Sequence, residues 1–136
     1  MIRFGKILAP NDLGLTGSHQ AGLFVPKRCE LVTLIREEAW LDENPRVQLE
    51  PFCRELDYHV TCSLIYYNNR LRGGTRDEFR LTGITWLRNS LGAKPGDILE
   101  FTLDSRRLTE VSLTREGIHL GPIPWTAGWS PKGWRP

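Results

Sequence analysis

The chain has 136 residues, of which 40% are hydrophobic and 25% charged, and its 18 basic and 16 acidic side chains leave a formal charge of +2. That length and balance suit one globular domain with a core of its own and exclude a disordered chain, and so small an excess excludes general electrostatic adhesion to nucleic acid, so that such binding must come from a local patch. No apolar run approaches the roughly 18 residues of a spanning helix, and the start, Met1-Ile2-Arg3-Phe4-Gly5-Lys6, lacks the apolar core of a secretory signal. The expectation is a cytoplasmic protein with no membrane partner.

Residues 2–8 predict a first strand, stopped by Ala9-Pro10-Asn11-Asp12. Residues 11–20 then turn small and polar, with Gly14 and Gly17 placed as if the backbone must bend or come close to something. Neither the Gly-Lys-Ser/Thr of a phosphate loop nor Gly-x-Gly-x-x-Gly of a dinucleotide site is present. Ser18, His19 and Gln20 can face a groove, or can satisfy one another.

Residues 22–25 predict a strand closed by Pro26, and residues 27–40 an amphipathic helix with Leu31, Leu34, Ile35 and Ala39 on one face. A short strand at 46–49 and a connection at 51–57 follow. From Tyr58 to Tyr67 the pattern alternates, with Val60, Cys62, Leu64 and Tyr66 on one side and His59, Thr61, Ser63 and Tyr67 on the other, as in a half-buried strand. Residues 85–91 predict a second short helix, and residues 98–118 two paired strands with Arg106 and Arg107 in the turn. Many short strands with two short helices predict a mainly β, α+β fold, closed or partly open as a barrel, over residues 1–120. The tail, 121–136, holds Trp125, Trp129 and Trp134, and either packs on the barrel or leads to a partner or further domain.

The stretch 66–80 carries the chemistry. Asn68, Asn69, Gly73 and Gly74 predict a turn, and across it four arginines (Arg70, Arg72, Arg76, Arg80) face two acids (Asp77, Glu78), a local excess of 4 − 2 = +2. Arginine pairs bidentately with guanine and a carboxylate accepts from the cytosine amine, whereas acids only weaken a pure phosphate clamp. The mixture therefore signifies base readout, or internal ion pairs that hold the arginines in place.

Other chemistries find little support. Cys29, Cys53 and Cys62 form no Cys-x-x-Cys and predict buried free thiols, so neither a metal nor a cofactor is expected. No Asp/Glu-x-Lys nuclease motif exists, because Lys6, Lys27, Lys94 and Lys132 follow Phe4, Val25, Gly92 and Ser130 by two positions. No catalytic triad can be argued from His19, His59 or His119 either, so the chain is not expected to be an enzyme by itself.

Two stretches in order, Asn11-Asp12-x-Gly14-x-Thr16-Gly17-Ser18-His19-Gln20-x-Gly22 and Ile65-Tyr66-Tyr67-Asn68 leading to Gly73-x-Thr75-Arg76-x-Glu78-x-Arg80-x-Thr82, resemble the N-terminal effector-binding domain of EcoRII-type restriction endonucleases. The resemblance spans residues 6–103. It implies a DNA-binding pseudobarrel, shared with plant transcription factors, whose two arms grip the major groove: Thr16, Ser18, His19 and Gln20 in the first arm, and Asn69, Arg70, Arg72, Thr75, Arg76, Asp77, Glu78 and Arg80 in the second. His19, Arg76, Glu78 and Arg80 match the family's contact residues, Arg70 and Arg72 fall where members vary, and Gly74 and Phe79 replace positions that can be lysine. The implied partner is double-stranded DNA with a short G·C-containing site, together with a nuclease domain in cis or in trans. The competing expectation is a non-catalytic protein-interaction barrel that uses the tryptophan tail.

Overall fold

The computed structural model describes residues 1–15, 22–115 and 128–130. Its strands, in chain order, are β1 (Ile2–Ile7), β2 (Leu23–Val25), β3 (Arg46–Leu49), β4 (Phe52–Cys53), β5 (Tyr58–His59), β6 (Cys62–Tyr67), β7 (Glu78–Thr82), β8 (Ile98–Asp104) and β9 (Arg107–Thr114), with one α-helix, α1 (Thr85–Asn89). They form a five-stranded sheet in the order β1-β8-β9-β4-β5 and a four-stranded sheet in the order β2-β7-β6-β3. The mainly β expectation therefore holds; among the described residues no ladder joins the two sheets, so of the expected closed or partly open barrel the closed form is not seen.

The sheets share one core. Alternate residues point inward from each, among them Phe4, Leu99, Phe101 and Val111 from the larger sheet and Leu23, Val25, Leu64, Phe79 and Leu81 from the smaller. Short links carry the chain between sheets at one side of the molecule: β3 passes to β4 through Glu50 and Pro51, and β5 returns to β6 through Val60 and Thr61. The alternation predicted as one strand from Tyr58 to Tyr67 is consequently two strands in different sheets. It survives the break because both sheets face the same interior, so Val60, Cys62, Leu64 and Tyr66 all remain buried. On the opposite side the seam between β1 and β2 is spanned by Trp129. Its backbone bridges to Lys6, and its indole N–H donates to the Phe24 carbonyl at 2.9 Å.

The predicted helix over 27–40 is replaced by two 3₁₀ turns, Glu30–Leu34 and Glu37–Ala39. The link between them is extended, with Ile35 at φ −101°, ψ 118° and Arg36 at φ −62°, ψ 142°. Val32, Thr33 and Ile35 are β-branched and weak helix formers. The first turn packs on both β6 and β9, while Trp40 must double back to reach Tyr66 and Phe79; a straight helix of this length, about 20 Å, cannot do both. The second predicted helix is present as α1. The turn between β8 and β9 uses Ser105 and Arg106, both at positive φ, one residue earlier than predicted. The connection predicted at 51–57 contributes β4 to the larger sheet.

Cys53 and Cys62 are buried and Cys29 partly so, and all three are free thiols. Burial pushes Cys29 and Cys62 up to about 12, so both are inert at neutral pH. Among the described residues no helix is long and apolar enough to cross a membrane.

Candidate nucleic-acid interface

Loop 68–77 joins β6 to β7, whose last pair is Tyr67 with Glu78. Its fold comes from two asparagines and two glycines. A 3₁₀ turn, Asn69–Arg72, ends at Gly73 in the left-handed region, φ 87°. Gly74 is required for a different reason: a Cβ there would stand 2.7 Å from the Asn69 side chain, which is occupied in accepting the Arg76 backbone N–H at 2.7 Å. The Arg70 N–H donates to the Arg76 carbonyl at 3.0 Å and closes the loop across its neck. Asn68, wholly buried, donates through its side-chain amide to the carbonyls of Trp40 and Asp42 and accepts the Asn44 N–H. The loop is thereby fixed to the segment beyond the second 3₁₀ turn.

The charged side chains divide by what holds them. Glu78 sits between two guanidinium groups, accepting from Arg76 Nε at 3.0 Å through one oxygen and from Arg80 Nε at 3.2 Å through the other. Arg76 also places its guanidinium carbon over the Tyr67 ring, 3.7 Å from its centre, and keeps 40% of its side-chain surface exposed. Arg80 is only 5% exposed and donates to the Gly22 carbonyl at 3.4 Å, so it supports the cluster from beneath. Arg70 is 70% exposed and reaches Asp77 at 3.5 Å. Arg72 donates to the Leu41 carbonyl at 2.9 Å, and Thr75 is exposed.

Asp77 is bound from three sides, by Lys27 at 2.8 Å, by the Tyr66 hydroxyl at 2.5 Å and by Arg70. Tyr66 in turn stacks on Phe79 at 4.2 Å, and Trp40 meets both rings edge-on. The hydrogen bond from Lys27, then that from Tyr66, holds the Asp77 carboxyl below its ordinary 3.8; Asp77 in turn raises Lys27 above 10.5. A depressed acid stabilises the fold above its unfolded pKa and loses that contribution as pH falls through the folded value; a raised lysine contributes below its unfolded pKa and loses it as pH rises. The contact therefore operates between about pH 4 and about pH 10. Asp77→Asn is expected to lower stability by about 1 kcal/mol between about pH 5 and pH 9, with the difference shrinking on acidification. Urea unfolding of both proteins across pH checks this, and a difference that grows towards pH 3 would refute it.

Of the predicted site residues, Asn69, Arg70, Arg72, Thr75, Arg76, Asp77, Glu78 and Arg80 come together in this loop and the start of β7. Thr16, Ser18, His19 and Gln20 lie outside the described residues. Patterning missed Lys27, fifty positions from Asp77, as well as the stacking surface of Tyr67 and the hub at Asn68. Nothing in the local sequence marks the first; the position of Tyr67 on the same strand face as Glu78 could have revealed the second. Trp129 is 4% exposed and packed on Phe4 and Phe101, while Trp125 and Trp134 lie outside the described residues. Among the described residues no group of three His, Cys, Asp or Glu side chains is placed to hold a metal ion.

Known proteins resemble this chain over more than half of its length. The type II restriction enzyme EcoRII of Escherichia coli is 39% identical over 80 residues, a match covering 57% of this chain and 19% of that enzyme, so the chain spans a small part of its relative's length. A solved structure of the UbaLAI restriction endonuclease B3 domain with cognate DNA aligns with a TM-score of 0.47 at 22% identity, covering 83% of this chain and 65% of that one. The family model described as restriction endonuclease EcoRII, N-terminal, matches residues 1–107, more than three quarters of the chain, and includes all of loop 68–77. The chain belongs to the EcoRII N-terminal family.

Proposed function

We propose that this domain binds duplex DNA in a sequence-specific manner and serves as the effector or target-recognition part of a type II restriction system, without hydrolytic chemistry of its own. The observation that carries the reading is the Arg76–Glu78–Arg80 cluster. It presents an exposed guanidinium and a carboxylate edge side by side on a loop whose every turn is fixed by internal hydrogen bonds. Donors and acceptors held at fixed spacing suit the edges of G·C pairs in the major groove, where arginine addresses guanine and a carboxylate accepts from cytosine. Stacking on Tyr67 limits the rotamers of Arg76 and so reduces the entropy lost on binding. Family membership supports the same reading, and the segment holding Thr16, Ser18, His19 and Gln20 is proposed as the first, N-terminal arm beside this one. The bound copy of DNA would act on a nuclease domain in cis or in trans as an allosteric effector.

Selection from a randomised duplex library at near-physiological salt tests this directly. The wild type is expected to recover one short G·C-containing motif. Arg76→Ala is expected to recover none and to bind that motif at least tenfold more weakly, since a good bidentate contact discriminates by roughly 1–3 kcal/mol. Recovery of the same motif by both proteins would remove Arg76 from the reading surface.

A further inference from the structure

The guanidinium cluster does not stand alone on the loop; it continues onto the outer face of the smaller sheet. In β7, Phe79 and Leu81 point into the core and Glu78, Arg80 and Thr82 point away from it; in β6, Ser63, Ile65 and Tyr67 point away likewise. On the edge strand β3, Val47 and Leu49 face inward, and Arg46 and Gln48 face out. The registers Phe24 with Arg80, Arg80 with Ile65 and Ile65 with Arg46 put these four residues in one row across all four strands. Tyr67 and Glu78, beneath Arg76, form the adjoining row.

The two ends of the long row are exposed, Phe24 at 41% and Arg46 in the same class, while Arg80 and Ile65 between them are buried. Among the described residues no ion pair or hydrogen bond holds the Arg46 guanidinium. The only acid in the two rows is Glu78, already shared by Arg76 and Arg80. Glu50, the next outward position beyond Gln48 along β3, accepts from the Gln48 side chain and ends the basic surface on that side.

We propose that Arg46 is a further DNA contact, binding a backbone phosphate of the duplex whose bases Arg76 and Glu78 address; this rests on the DNA-binding reading above. Among the described residues, Arg46 is the cation left free on the face that carries the guanidinium cluster. Arg46 pairs with Ile65, two residues along β6 from the Tyr67 that underlies Arg76, so one inter-strand spacing of about 4.8 Å and two residue rises of about 3.4 Å put it about 8 Å from the reading cluster. At about 3.4 Å per step that is about two base pairs of duplex, so Arg46 meets the backbone a nucleotide or two from the bases read by the loop. An arginine on an edge strand, with no carboxylate paired to it among the described residues, suits a phosphate, which needs charge and carries no sequence information.

The test measures affinity for the selected duplex across a salt series, with wild type, Arg46→Ala, Arg46→Lys, Arg46→Glu and, as a control on the other sheet, Arg107→Ala. Arg46→Ala is expected to weaken binding roughly fivefold at moderate salt, equally for cognate and mismatched duplexes, and to flatten the salt slope by about one. Arg46→Lys should restore most of the loss, because a phosphate accepts either cation, and Arg46→Glu should exceed the alanine effect. Wild-type affinity and slope in Arg46→Ala, while Arg76→Ala still weakens binding at least tenfold, would overturn the Arg46 contact and leave the DNA-binding reading standing. A loss confined to one base pair of the site would overturn it too, by assigning Arg46 to base readout. Absence of duplex binding by the wild type would bring down both.

Discussion

Trp129→Ala is expected to cost about 3–5 kcal/mol of folding stability, the range for removing a large aromatic side chain from a packed core. The ring is 4% exposed, stacked on Phe101 at 5.5 Å and tilted against Phe4 at 6.2 Å. Its backbone sits on β1 through hydrogen bonds from Ile7 N–H to Gly128 and from Ser130 N–H to Gly5, and Gly128 packs so closely that a Cβ would stand 2.9 Å from Lys6 Nζ. The indole N–H then reaches across to Phe24 in the other sheet. Trp129→Phe isolates that last contribution, since it keeps an aromatic ring but leaves the Phe24 carbonyl without its donor, and about 1–2 kcal/mol is expected. Urea unfolding measures both, and hydrogen exchange should show β2 opening more readily in Trp129→Ala while β8 and β9 stay protected. A loss below 1 kcal/mol for alanine would mean that the sheets hold together without this strap.

That strap shows where the sequence was legible and where it was not. The inward faces could be read because a strand with one buried side imposes a period of two, and Leu99, Phe101 and Leu103, or Cys62, Leu64 and Tyr66, obey it. The break at Val60 and Thr61 could not, because alternation is indifferent to which of two facing sheets a strand joins. The segment with Leu31, Leu34, Ile35 and Ala39 has helical spacing, yet two short turns with an extended link bury the same side chains. Among the site residues, Arg76, Glu78 and Arg80 lie two apart on one strand end, so their grouping was visible as local pattern. Lys27 and Trp40 support the loop from the side of Tyr66, and Arg46 joins its outer face, only through strand pairing and loop packing, which local pattern does not encode. Gly73 and Gly74 were read as one turn signal; Gly73 serves a positive φ and Gly74 serves space beside Asn69.

Asn68 is the residue on which the loop's rigidity most depends, and Asn68→Asp is expected to destabilise the domain by about 3 kcal/mol or more. Its amide nitrogen lies 2.7 Å from the Trp40 carbonyl and 2.5 Å from that of Asp42; its oxygen accepts the Asn44 N–H at 2.9 Å, and Asn44 returns the bond by accepting the Asn68 N–H at 3.1 Å. Aspartate keeps the shape and replaces two donors with an acceptor, so a wholly buried carboxylate would face two carbonyls, each group costing about 1–3 kcal/mol when left unsatisfied. Asn68→Ala removes the same bonds without adding a charge, and about 2 kcal/mol is expected. The alanine variant also separates folding from recognition. Asn68 opens the turn that carries Arg70 and Arg72 but lies in the floor of the loop, so at temperatures where the variant remains folded it should bind DNA more weakly while retaining the wild-type base preference. Preorganisation contributes affinity without choosing bases. Denaturant unfolding gives the stability and the library selection gives the preference. An altered motif in Asn68→Ala would show that the floor of the loop shapes sequence choice as well as holding the readers in place.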